Sequence, residues 1–350
     1  MNGVYLDHNA TTPIDPRVLQ QVVECFQHHY GNAGSPHEYG LVAKERVHDA
    51  REQIGRLVGA RRHEVYFTSG ATESNNLALL GLADHGLQAG KRHIVSTQIE
   101  HKAVLEPLEQ LKKRGFEITS IAPDPSGRVD ASKVLAAIRS DTLLVSVMHV
   151  NNETGVVQPI GAIAEGLTER SDVVLHVDAA QGFGKVSTEL DHPRIDLISI
   201  SSHKIHGPVG VGALIARREG KRCAMLQPLM YGGGQEMGLR PGTIPVPLVV
   251  GFGVAAELAS QEMEQRRAVC SELRAMVKRH LEPLHPVYLG DEQFALPHVV
   301  CVALEGWDAD ALIEEVEWHC SGFDRIGMHI HLRFGQPCLV GHARSPTDAR

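Results

Sequence analysis

Apolar positions along this chain alternate between two periods. Short apolar runs that end in small or polar residues read as buried strands at 64–68, 93–97, 117–121, 142–148, 173–178, 195–200 and 210–216. Between them, apolar residues recur at helical spacing. Asp15-Pro16 opens a helix to about His29, with an acid at the cap and proline in the first turn. A second helix, carrying Val42, Val47, Ile54 and Leu57, follows the turn-rich 31–37 loop. Further helices are expected from Asn75, over 103–113, from about Pro247 to His280, and over 308–317. Residues 4–7 read as a short strand before a polar loop, His8 to Pro13, and 297–304 as a strand in a later, smaller unit.

Repeated strand-then-helix order predicts a mainly parallel sheet covered by helices. Ligands in such sheets sit at the carboxyl ends of the strands. The segment from Ser69 to Ser74, His101, Asn151-Asn152, Asp178 and the segment from Ser201 to Lys204 all fall at such ends.

Size and charge narrow the class. With 350 residues the chain suits two domains, expected as 15–250 (large) and 1–14 with 251–350 (small). A formal charge of −8 leaves no basic footprint for nucleic acid or an anionic membrane. The first residues lack the basic and apolar regions of a signal peptide, and no window approaches the ~18 apolar residues of a membrane helix. The 6 cysteines form no Cys-x-x-Cys pair, which suits a reducing cytoplasm.

The chemistry-bearing residues cluster around Ser201-Ser202-His203-Lys204-Ile205-His206-Gly207-Pro208, where the chain leaves a strand for a loop. A partly buried lysine there can become a carbonyl nucleophile; alone, the same motif reads as a surface lysine in a turn. Ser69-Gly70-Ala71-Thr72 at a strand-to-helix turn exposes N–H groups that could seat a phosphate, though any capped helix start looks alike. An aldehyde cofactor that stores electrons needs a lysine, an acid at its ring nitrogen, a stacking partner and a phosphate seat. Lys204, Asp178, His101 and the segment from Ser69 to Thr72 could supply them in that order. In isolation Asp178 could equally cap a helix, His101 sit in the core and Thr243 lie in a turn.

Taken together the motifs resemble the cysteine desulfurases of the Nif/Isc type, in the fold-type I superfamily of pyridoxal 5'-phosphate enzymes. They are Tyr5-Leu6-Asp7-x-x-Ala10-Thr11-Thr12-Pro13, Phe67-Thr68-Ser69-Gly70-Ala71-Thr72-Glu73-Ser74, Glu100-His101, Asn151-Asn152-Glu153-x-Gly155, His176-Val177-Asp178-Ala179-x-Gln181, Ser201-x-His203-Lys204-x-x-Gly207-Pro208 and Gly242-Thr243. The resemblance, over about residues 4 to 317, implies an α/β fold with a large mainly parallel sheet and a smaller α/β C-terminal domain. It implies that Lys204 holds the cofactor as a Schiff base, Asp178 pairs with the ring nitrogen, His101 stacks on the ring and Gln181 bonds the phenolic oxygen. Ala71, Thr72, Ser201 and His203 would hold the phosphate, with Thr243 reaching in from the other subunit of a homodimer, and Asn152 would orient the substrate carboxylate. The implied reaction converts L-cysteine to L-alanine and passes sulfur through a protein persulfide to an acceptor protein. Two alternatives stay open: another lyase of this branch acting on cysteine, cystine or selenocysteine, and a catalytically silent, cofactor-bound partner of sulfur-transfer proteins.

Two stretches depart from the family. Met237 stands where it usually has arginine. From Trp318 onward the small-residue loop with the nucleophilic cysteine is missing, and Cys320 and Cys338 are the thiols nearest in sequence. His319, His329, His331 and Cys338 fit no standard zinc spacing, so no metal is expected. A shifted reading frame is the expected account of the tail, with genuine divergence as its rival: codons for Met328-His329 must read ATG-CAY, and one base of phase forces a cysteine codon, TGC, across them. Neighbouring codons then permit a Gly-Ser-Ala-Cys loop, so the encoding DNA over the tail is the expected place to find it.

Overall fold

The computed structural model describes residues 5–186, 189–218 and 225–306, and the backbone of 329–332. A seven-stranded sheet runs in the order β1-β7-β6-β5-β4-β2-β3. Its strands are β1 (Val65–Thr68), β2 (His93–Thr97), β3 (Glu117–Ile121), β4 (Thr142–Met148), β5 (Val174–Asp178), β6 (Leu197–Ser201) and β7 (Gly212–Ala216). All neighbours pair in parallel except β7, which is antiparallel to both β6 and β1. The central strands β4 and β6 are buried along their whole length, as a parallel sheet covered on both faces requires.

Eight helices accompany the strands among the described residues: α1 (Pro16–His28), α2 (Glu38–Arg56), α3 (Ala71–Leu80), α4 (Ala83–Ala89), α5 (Lys102–Lys113), α6 (Ala131–Ala136), α7 (Ile160–Gly166) and α8 (Val246–Leu281). The Asp15 side chain caps α1 by accepting from the Arg17 amide. Val18 and Val22 of α1, Val47 and Ile54 of α2 and Val249 and Phe252 of α8 share one core with the sheet. Each such side chain contributes about 1.5–3 kcal/mol by leaving water. Gly253 lets α8 lie directly on α2, because a Cβ there would stand 2.7 Å from the Ala50 Cα. A smaller sheet has the order β10-β9-β8, from β8 (Val287–Tyr288), β9 (Val299–Ala303) and β10 (His329–Leu332).

Most strand boundaries agree with the hydrophobic pattern to within a residue or two, and three elements differ. Residues 5–7 form no strand. The Asp7 carbonyl instead accepts from the amides of Ala10 and Thr11, folding the segment into a turn near the ends of β5 and β6, away from both sheet edges. α3 starts at Ala71, ahead of the expected Asn75, so its first amides lie next to β6. β10 falls within the divergent tail and pairs in parallel with β9, in keeping with the polar–apolar alternation of His329-Ile330-His331-Leu332. The helix expected over 308–317, Cys320, Cys338, His319 and the shifted-frame stretch, apart from the backbone of 329–332, lie outside the described residues. Among the described residues no helix is long and apolar enough to cross a membrane, and none form a metal-ligand cluster.

Candidate active site

The carboxyl ends of β1, β2, β4, β5 and β6 open onto one cavity of about 650 Å³, within the usual range for small-molecule sites. Nine of the ten predicted residues line it: Ala71, Thr72, His101, Asn152, Asp178, Gln181, Ser201, His203 and Lys204. Thr243 does not; it is exposed in the connector between β7 and α8. Met237 is likewise outside this cavity, against Arg218.

Lys204 ends a short 3-10 turn, Ser202–Lys204, that β6 feeds. Its ammonium donates to the Asn9 carbonyl and, at 2.9 Å, to that of Ala10. Burial lowers its pKa below the ordinary lysine value, against the opposing pull of Asp7 and Asp178. Such a lysine is a better nucleophile than an exposed one.

Asp178 is the last residue of β5, opposite Met148 and Ser199 on the flanking strands. It accepts from Asn75 Nδ2 at 2.7 Å and from the Ala180 amide at 3.0 Å. Burial raises its pKa, while these hydrogen bonds and the charges of His101 and Lys204 oppose the rise. Among the described residues no cation pairs with it directly. A buried carboxylate in that state is costly unless a cation joins it.

The opposite end of the cavity is built for an anion. Ser201 Oγ is buried and has no hydrogen-bond partner. Helix α3 begins beside it, with no side-chain cap on Gly70, so its first amides remain available. Gly212 makes this approach feasible: a Cβ there would stand 2.6 Å from the Gly70 Cα. His203 bonds Thr11 Oγ1 through Nδ1 at 3.1 Å. Burial, followed by the Lys204 and Lys185 charges, lowers it to about 4, so it is neutral at pH 7.

His101 caps α5, its Nδ1 accepting from the Ala103 amide at 3.1 Å, which leaves the proton on Nε2. Asn152 donates to Glu153 Oε1 and accepts Asn9 Nδ2 on its carbonyl, each at 2.9 Å. Gln181 donates from Nε2 to the Asn9 carbonyl at 3.0 Å. Asn9, Asn75 and Lys185 went unassigned from sequence, because their roles are contacts with partners distant in the chain or, for Lys185, one turn away. Glu100 stood only as a motif member. It accepts from Thr97 Oγ1 at 2.7 Å and the Met148 amide at 2.9 Å, tying the loop of His101 to β4. Burial raises its pKa to about 8, so it is mostly protonated at pH 7.

A family model for class-V aminotransferases matches residues 4–338. The chain is 44% identical over 315 residues to cysteine desulfurase IscS of Enterobacter sp. (strain 638), covering 89% of this chain and 77% of that one. It belongs to the class-V aminotransferase family, in the cysteine desulfurase branch. Among solved members, DndA from Streptomyces lividans superposes with a TM-score of 0.82 at 48% identity, covering 90% of this chain and 88% of that one. SspA, solved in complex with cysteine, does so at 0.77 and 36%, covering 90% and 86%. Enzymes of this branch depend on pyridoxal 5'-phosphate, and that is the cofactor of this chain. The residues present fit it. The unpaired Asp178 carboxylate suits a ring N–H, and the partnerless Ser201 hydroxyl and uncapped α3 amides suit a phosphate.

Proposed function

We propose that this desulfurase-family chain takes sulfur from L-cysteine, releases L-alanine and passes the sulfur as a persulfide to an acceptor protein. The observation that carries the reading is the convergence of Lys204, Asp178, His101, Asn152 and Ser201 in one cavity. Pyridoxal phosphate, when bound, supplies an electron sink for negative charge developing at the substrate α-carbon. Asp178 holds a proton at the ring nitrogen, and Lys204 Nζ binds the cofactor and moves the α-proton. His101 stacks on the ring, Gln181 donates to the phenolic oxygen, and Asn152 orients the substrate carboxylate. Ser201 Oγ, the amides of Ala71 and Thr72, and neutral His203 hold the phosphate. A thiolate then attacks the substrate sulfur: an S–S bond forms, the C–S bond breaks with its electron pair left on the carbon side, and that carbon takes up a proton so that the skeleton leaves as alanine. Among the described residues Cys25 and Cys301 are buried and Cys270 borders a neighbouring cavity, so none is placed for this attack.

The working form in this reading is a cytoplasmic homodimer in which Thr243 completes the partner's phosphate seat. Phe26, Tyr30, Tyr39 and Leu41 are exposed on and between α1 and α2, and Tyr231 is exposed in the connector that carries Thr243. Apolar surface of this kind supports a second copy as its cover. The test is to load the purified protein with the cofactor, fix it with borohydride, map the labelled peptide and assay products from cysteine. The expected result is a label on Lys204 with alanine and acceptor-bound sulfur. A label elsewhere overturns the site. Pyruvate as product supports a lyase, and a loaded protein without turnover supports a silent partner.

A further inference from the structure

Gln181 and Lys185 lie one helical turn apart in the segment after β5. Gly182 and Phe183 donate back to the Ala179 carbonyl there, and Lys185 and Val186 donate back to that of Gly182. Residues four apart on such a turn share a face. Lys185 Nζ donates to Gln181 Oε1 at 3.1 Å, while Gln181 Nε2 donates to the Asn9 carbonyl at 3.0 Å. The two partners impose the same amide orientation. A backbone carbonyl has no donor, so the NH₂ must face Asn9; the oxygen is left to accept from Lys185, whose charged form has no acceptor and allows no other orientation. Asn9 also receives the Lys204 ammonium. Gln181 therefore turns a donor toward the reactive lysine and its oxygen away from it.

We infer that Lys185 is a positioning residue, which locks the Gln181 amide so that N–H rather than C=O faces the cofactor atom nearest Lys204. This rests on the cofactor reading above. It assigns Lys185 a task that no other described side chain performs at Gln181 Oε1. Lys185 itself approaches the cavity on the far side of Lys204, where His298 Nε2 lies 3.5 Å from its Nζ. A donor at the phenolic oxygen draws electron density from it and makes the proton at Lys204 Nζ easier to lose. A carbonyl oxygen in the same place would hold that proton more tightly.

The experiment is a pH titration of the visible absorption band of the loaded protein, in wild type, Lys185→Met, Lys185→Arg, Gln181→Leu and the Lys185→Met/Gln181→Leu double variant. One hydrogen bond exchanged for its opposite corresponds to about one pH unit. Because the Asn9 carbonyl still favours the same orientation, Lys185→Met is expected to raise the midpoint by only part of that, about half a unit, and Lys185→Arg to return it close to wild type. The double variant is expected to match Gln181→Leu, because Lys185 acts only through that amide. An unmoved midpoint in Lys185→Met, or a double variant showing the full sum of both shifts, overturns the inference. If wild type takes up no cofactor, or Gln181→Leu leaves the midpoint in place, the cofactor reading fails instead. The lock is then judged on cofactor-free protein labelled with ¹⁵N-glutamine. One sharp Gln181 NH₂ pair in wild type that doubles or broadens in Lys185→Met supports it, and an unchanged pair overturns it.

Discussion

Lys204 divides two cavities of opposite character. On one side lies the space of about 650 Å³ with buried Asp178, a protonated Glu100 behind it and carbonyls that accept from Lys204 Nζ. On the other lies a cavity of about 90 Å³ bordered by Lys185, Arg266, Arg267, Lys204 itself and three histidines, with no carboxylate among its described lining residues. At its Asp178 end the first is short of a cation, whereas the second is short of an anion. A lysine between them is pulled toward the first side by Asp178 and Asp7 and destabilised as an ammonium by burial. The site therefore stores its electrostatic cost in an acid before any ligand arrives, and bound cofactor would relieve it.

The largest effect should come from breaking the acidic side. Asp178→Asn keeps the shape and the Ala180 hydrogen bond while removing the charge that would hold a ring proton. Turnover of the loaded protein should fall by about 10²–10³-fold, the scale of losing one preorganised electrostatic contact. Stability should move the other way. Burial raises the folded-state pKa of Asp178 above its unfolded value, so its ionisation weakens the cofactor-free fold as pH rises beyond the carboxylate range. The Tm of cofactor-free Asp178→Asn at pH 7 should therefore equal or exceed that of wild type. A large drop in Tm with turnover retained would reverse the assignment.

A smaller effect lies one strand away. Glu100 titrates at about 8 in the fold, above its ordinary 4.5, so the native state binds more protons than the unfolded chain between those values. Its contribution is intact below about pH 4.5 and is lost as pH rises through 8. Glu100→Gln mimics the protonated form, keeping the Thr97 and Met148 contacts possible. Its Tm should exceed that of wild type by several degrees at pH 9 and differ little at pH 5. Equal differences at both pH values would show that Glu100 is ionised in the fold.

How much of this was legible in the sequence follows from where each partner lies. Lys204, Asp178, His101 and the turn from Ser69 to Thr72 follow apolar runs directly, and a parallel sheet delivers every such end to the same edge. Their convergence was therefore readable from strand order alone. Asn75 was not, because its meaning is one contact with a residue 103 positions away. Asn9 was hidden for the same reason: its carbonyl meets Lys204 and Gln181 across 195 and 172 positions. The stretch over 4–7 looked like a strand because Val4, Tyr5 and Leu6 make a short apolar run, yet Asp7 spends its carbonyl on a turn. Glu100 was visible as a letter in a motif, but its protonation depends on burial that no local pattern reports.

The cationic side gives the smallest effect and the sharpest contrast. Burial, with a further push from Lys204, lowers Lys185 to about 7, against a weaker opposing pull from Cys270. Between about 7 and its ordinary 10.5 the unfolded chain binds the extra proton, so stability from this group rises with pH across that window. Below 7 the lysine is charged in both states and the desolvation cost is fully present. Lys185→Met removes that cost and also removes the hydrogen bond to Gln181, a loss nearly independent of pH. The Tm of cofactor-free Lys185→Met relative to wild type should therefore be highest near pH 6 and decline by a few degrees toward pH 10. That slope is opposite in sign to the one for Glu100→Gln, measured on the same protein by the same scan. Parallel slopes for the two variants would mean that the two sides of Lys204 are not electrostatically opposed, and the division drawn between the cavities would fall.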